Sequence, residues 1–204
     1  MPKENSTMSL DAIHARQPDH PVAAQFTDRW SPRSFTGRAL SEAEVMSLLE
    51  AARWAPSASN HQPWRLVWAR AGEPAFAAIH QALTGNNLVW TARAGALVVV
   101  ASKDAVTNRE GAEVANRTAG FDTGAAWMSL ALQAHAMGLV AHAMGGFDRD
   151  RLAQAVGLPA GHTLQCVVAV GEQGAAEALP EDLQAREKPS SRRPVAEISR
   201  HGRF

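Results

Sequence analysis

From Phe121 to Met137 the chain reads as one long helix whose apolar residues wrap most of its circumference. Trp127, Met128, Leu130, Ala131, Leu132 and Met137 do not fall on a single stripe, and Gly138 stands where a left-handed residue ends a helix. A helix that is apolar all round has to be covered on every side. In a chain of 204 residues, a subunit interface is a natural way to cover the second face.

Around this segment, helical and strand patterns alternate. Ser41 to Trp54 predicts a helix, with Ser41 and Glu44 at capping-box spacing and Val45, Leu48, Leu49 and Ala52 on one face. Shorter helices are expected over Pro21 to Asp28 and Ala75 to Leu83. Another is expected over Arg149 to Val156, capped by Asp148 and stopped by Gly157 and Pro159. Leu66 to Ala69 reads as a short strand, and Leu97 to Ala101 as a buried one by its β-branched run. Leu164 to Val170 reads as a central strand, and Gly174 to Pro189 as an exposed connection. No internal repeat or linker divides the chain, so residues 21–204 are expected to form one domain. Residues 1–20 are polar and are expected to be a poorly ordered extension.

Composition removes several classes of function. Twenty basic and twenty acidic residues cancel, so neither a nucleic acid nor an acidic membrane has electrostatic support as a partner. No run approaches the roughly 20 apolar residues of a membrane span, and the N-terminus lacks an apolar secretory core, which makes the cytoplasm the expected location. The lone Cys166 lies in the apolar run 164–170 and reads as an inert core thiol. The eight histidines form no ligand pattern, so no metal is expected. Neither Gly-x-Ser-x-Gly nor the dinucleotide fingerprint Gly-x-Gly-x-x-Gly occurs.

Four segments carry the chemistry. In Arg29-Trp30-Ser31-Pro32-Arg33-Ser34-Phe35, two cations and a hydroxyl alternate, so an extended backbone puts them on one side. That is equipment for holding a phosphate. Ala55-Pro56-Ser57-Ala58-Ser59-Asn60-His61-Gln62-Pro63-Trp64 is a stiff polar loop between a helix and a strand. Gly138 to Asp148 reads Gly-Leu-strand-Gly-Gly-Phe-Asp, and Arg192-Arg193-Pro194-Val195 is a basic motif near the end.

Together and in this order, the four segments resemble the nitroreductase family of FMN-dependent oxidoreductases, over about residues 26 to 198. The resemblance implies an α+β fold, a mixed β-sheet flanked by helices in an intertwined homodimer, with the long helix at its core. It implies FMN as cofactor, with NADH or NADPH as electron donor and a nitroaromatic, quinone or similar electron-poor acceptor, in ping-pong alternation. By resemblance, Arg29, Ser31 and Arg33 meet the phosphate, with Arg193 or Arg192 arriving from the tail. Trp30 replaces a cation common in relatives, and packing is its expected role. Met144, Gly145 and Gly146 approach the flavin ring, with backbone N–H groups of the glycines as donors. Asn87, or the neighbouring Asn86, hydrogen-bonds the ring, while Pro56, Ser57 and Asn60 reach it from the other subunit. No side chain serves as catalytic acid or base, since the chemistry belongs to the flavin. Within the same resemblance stand a reductive dehalogenase and an enzyme that consumes its flavin to make a cobalamin fragment. A non-catalytic flavin-sequestering protein is the alternative of a different class.

Overall fold

A computed structural model describes residues 16–204; most of the expected N-terminal extension, residues 1–15, lies outside them. In chain order the elements are α1 (Ala24–Asp28), α2 (Glu42–Arg53), β1 (Trp64–Arg70), α3 (Pro74–Gln81), α4 (Asn87–Thr91), β2 (Ala96–Lys103), β3 (Ala105–Thr107) and β4 (Glu113–Ala115). They continue with α5 (Ala119–Ala136), β5 (Val140–Met144), α6 (Arg149–Val156), β6 (His162–Gly171), α7 (Glu181–Gln184) and α8 (Val195–Ile198).

The core is a four-stranded sheet in the order β1-β2-β6-β5, with β3 and β4 forming a separate hairpin. Every residue of β2 from Ala96 to Ser102 is buried, which explains its unbroken apolar run. Ala96, Val98 and Val100 enter one cluster with Val45 and Leu48 of α2 and Ala126 and Leu130 of α5. Leu97, Val99 and Ala101 enter the other, with Phe76 and Ile79 of α3, Trp90 of α4 and Leu152 of α6. Helices therefore cover both faces of the sheet, as the α+β reading requires.

One detail differs from the expected mixed sheet: all pairings within the described residues are antiparallel. Alternation of helices with strands does not set strand direction, which depends on the end of the sheet to which each connection returns.

Local signals hold. Ser41 Oγ accepts from Glu44 N at 3.2 Å while Glu44 Oε2 accepts from Ser41 N at 2.7 Å, completing the capping box of α2. Asp148 caps α6 through Arg151 N at 3.0 Å. Gly138 takes φ +71° after α5. Cys166 is half-buried, and burial pushes its thiol up to about 11.

Among the described residues, helix α5 is covered chiefly on one face. Thr123, Ala126, Leu130 and Ala134 are at most 1% exposed, whereas Phe121 is 84% exposed. Met128 and Leu132, on the same outer stripe as Phe121, are half-buried. The expected exposed connection over 174–189 also differs, because Leu179 and Leu183 are buried in the core. Among the described residues, no helix is long and apolar enough to cross a membrane.

Candidate functional site

The arginine segment follows α1 and lies along the chain just beyond β6. Phe35 bridges Gln173, Thr36 N donates to Glu172 O at 3.1 Å, and Gly174 N donates to Ser34 O at 3.0 Å. A Cβ on Gly174 would stand 2.8 Å from Phe35 O and Ser34 Oγ, so only glycine permits this approach. Glu187 clamps the same stretch by accepting from Arg33 N and Ser34 N, each at 2.8 Å.

On this fixed backbone Arg29 reaches Ser31 Oγ at 3.3 Å and Trp30 O at 3.1 Å. Trp30 is half-buried, in keeping with a packing role. Arg16 donates to Thr27 O at 2.8 Å and Arg29 O at 2.6 Å, pinning the end of the N-terminal extension. Burial, and then the charge of Arg192, press the Arg29 guanidinium below its ordinary range. Burial, Arg192 and Arg29 do the same to Arg16, against a smaller opposing effect from Asp28. Three guanidiniums thus converge, and among the described residues none of them forms a salt bridge. Such a cluster is a ready anion site. Arg192 rather than Arg193 joins it. Arg33 flanks it, with Nη1 3.5 Å from Arg186 O.

A cleft of about 820 Å³ opens between residues 16–27 and 191–198, bordered by Arg16, Arg192 and Arg193. It touches neither Asn87 nor the Gly145-Gly146 turn, so its volume measures only the tail side of the cluster.

At the end of β5, Gly146 O accepts from Thr84 N and from Asn87 Nδ2, each at 3.1 Å. A Cβ on Gly146 would stand 2.7 Å from Asn87 Nδ2. Asn87 is therefore the asparagine that meets the glycine turn; Asn86 turns to Asp182 at 3.4 Å. The N–H groups of Gly145 and Gly146 have no acceptor among the described residues. The Met144 side chain is buried in the core.

The Pro56 to Trp64 loop stands apart. Ser59, Asn60 and Gln62 all take positive φ, between 47° and 56°, a conformation that non-glycine residues hold only when their surroundings impose it. Ala58 N donates to Asp122 Oδ2 at 3.2 Å, and Ser57 Oγ accepts from Gln62 N at 3.0 Å. The loop is thus tied to the first turn of α5, beside exposed Phe121. Pro56 and Asn60 are exposed. Among the described residues no hydrogen bond joins the loop to the arginine segment or the glycine turn.

Two residues escaped sequence reasoning. Glu187 lay in an Ala-, Glu- and Pro-rich stretch with no distinguishing signal. His142 had one, as a polar ring in the otherwise apolar strand leading to Gly145-Gly146. Its Nδ1 lies 3.0 Å from Pro32 O and its ring 4.7 Å from that of Trp90. Burial lowers it to about 4, helped by the charges of Arg33 and Arg29 and opposed by its hydrogen bonding to the Pro32 and Ser31 backbone. The folded state then refuses a proton that the unfolded chain accepts near pH 6.5. Stability is therefore expected to fall as pH drops from 6.5 towards 4 and to level off below, as far as this group is concerned. Denaturant midpoints across that range should show a shallower slope in His142→Phe than in the unmodified protein.

The structure is thus a helix-covered antiparallel sheet that carries, among the described residues, an arginine cluster without a salt bridge and a glycine turn with free backbone donors. Residues 26–172 match the nitroreductase family model, and the chain belongs to the nitroreductase family, a family of oxidoreductases. It is 42% identical to an oxidoreductase containing FMN, with a TM-score of 0.90 over 93% of this chain and 96% of that one. A provisionally named nitroreductase from Desulfovibrio desulfuricans, in complex with FMN, is 25% identical, with a TM-score of 0.65 over 98% of this chain and 99% of that one. A Streptomyces coelicolor protein provisionally named NADH dehydrogenase/NAD(P)H nitroreductase is 38% identical over 66 residues, 32% of this chain and 33% of that relative. The match thus spans about a third of that curated relative's length.

Proposed function

We propose that residues 21–204 form a single FMN-binding domain that works as a homodimer. It takes electrons from NADH or NADPH and delivers them to electron-poor acceptors such as nitroaromatics or quinones. The observation that carries this reading is the convergence of Arg29, Ser31 and Arg192, with Arg33 alongside, where among the described residues none of these arginines forms a salt bridge. A dianionic phosphate needs such charge-assisted donors. Two solved relatives that contain FMN support it, and the name of the Streptomyces protein supports a nicotinamide donor.

The donor set suits the rest of FMN as well. Gly145 N–H and Gly146 N–H have no acceptor among the described residues and would meet the ring edge where negative charge builds on reduction, with Asn87 holding that turn in place. Pro56, Ser57 and Asn60 would cover the ring from the second subunit, because among the described residues no hydrogen bond joins them to the arginine segment and their loop is tied to the α5 turn that the interface would bury. Arg193, exposed beside Arg192, is left to the rim of the phosphate site. FMN, when bound, supplies the redox chemistry, accepting hydride from the donor and passing electrons to the acceptor. The protein binds it, keeps one face open and offers no side chain as obligatory acid or base.

If one open face serves donor and acceptor alternately, initial rates against NAD(P)H at several acceptor concentrations should give parallel double-reciprocal lines. Intersecting lines would require a second binding site. Purified protein should be yellow and release FMN on heating. Bound FMN that no nicotinamide can reduce would point instead to a sequestering protein.

A further inference from the structure

We propose that His142 is a positioning residue for phosphate recognition, holding the Arg29-Ser31-Pro32-Arg33 segment from the sheet side and linking it to the helix that carries Asn87. The proposal rests on the FMN reading and adds a residue to it. The arginine segment is tethered at its two ends: Arg16 binds Arg29 O, and Glu187 and Gly174 hold Arg33 and Ser34. Between them, His142 reaches the segment from the sheet through a bond of 3.0 Å to Pro32 O. Pro32 has no N–H to offer, so its carbonyl is the handle available there.

A carbonyl only accepts, so Nδ1 carries the proton and the neutral ring makes this bond. Neutrality matters here. Burial and the charges of Arg29 and Arg33 keep the ring unprotonated at neutral pH, so it holds two cations in place without adding a third to the cluster. The opposite face of the arrangement is fixed by Trp90, whose ring lies 4.7 Å from that of His142. Trp90 belongs to α4, which begins at Asn87, and Asn87 is bonded to Gly146 O at 3.1 Å. One imidazole therefore spans the phosphate-facing and ring-facing halves of the site, and the donor at Nδ1 is the part that concerns the phosphate.

The experiment compares FMN with riboflavin, which lacks the phosphate, by fluorescence titration of the apoprotein at pH 7.5. The proteins are the unmodified chain, His142→Asn, His142→Gln and His142→Phe. An asparagine amide nitrogen falls close to the place of Nδ1, whereas that of glutamine falls nearer Nε2, and phenylalanine keeps only the ring. Losing one hydrogen bond that orients the cations should cut the preference for FMN over riboflavin by about tenfold in His142→Gln and His142→Phe. Riboflavin affinity should stay within about threefold, and His142→Asn should recover most of the preference. The Asn and Gln pair carries the test if the phenylalanine variant does not fold. Equal losses for both flavins would show a merely structural role and overturn the proposal, as would an unchanged preference or an asparagine variant no better than glutamine. An unmodified protein that binds both flavins equally would overturn the phosphate reading itself, a result separate from any behaviour of the variants.

Discussion

Replacing Arg29 and Arg33 together by alanine is expected to weaken FMN binding by roughly 10²- to 10⁴-fold, since each lost charge-assisted bond contributes about 1.5–3 kcal/mol. Riboflavin should be affected far less, because it has no phosphate for these side chains to hold. The apoprotein should not lose stability in proportion. Arg29 is half-buried among like charges and presses on Arg16 and His142, so removing it relieves repulsion as well as deleting a few hydrogen bonds. Isothermal titration of both flavins, with a denaturation curve for each apoprotein, separates the two effects. A double variant that still prefers FMN would move the phosphate to other residues.

A charge on the outer stripe of α5 should be nearly as damaging, and the structure decides where to place it. Leu130 is fully buried within the protomer, so a charge there would unfold the chain rather than test an interface. Met128 lies on the stripe with Phe121 and Leu132, away from the protomer's own core. Met128→Glu would strand an unpaired carboxylate in a dimer interface, at a cost on the order of 3–5 kcal/mol, or more than 10²-fold in dimer dissociation. Flavin should leave with the partner, because the Pro56–Asn60 loop that would cover the ring is anchored through Asp122 to the same helix. Light scattering with an FMN absorbance readout measures both at once. A folded monomer retaining one FMN per chain would end the shared-site reading.

Much of the candidate site could be proposed from sequence because its residues sit in short motifs whose order survives in the chain. Arg29, Ser31, Arg33, Asn87, Gly145 and Gly146 are named by their neighbours within a few positions. What the motifs left open was choice between adjacent residues. Asn86 and Asn87 differ by one step, yet a helical step turns a side chain by about 100°, and only the position of Gly146 shows which faces it. Arg192 and Arg193 posed the same problem, and Arg192 is the one whose charge acts on Arg29.

The elements themselves follow the same division. Caps and stops act across three to five residues, so Ser41 with Glu44, Asp148, Gly138 and Gly157 declare their helices in sequence alone. Apolar periodicity likewise announced the strands at 97–101 and 164–170 and the circumference of α5. The sequence called for α5 to be covered all round; only the packed protomer shows that the sheet and α2 take the Leu130 face and leave Phe121 exposed and Met128 and Leu132 half-buried. Strand direction, the grip of Glu187 on Arg33 across 154 positions and the bond from His142 to Pro32 across 110 were decided by tertiary structure. The physical reason is range: helix and turn signals are local energies written into neighbouring residues, whereas these contacts exist only once the sheet has brought distant segments together.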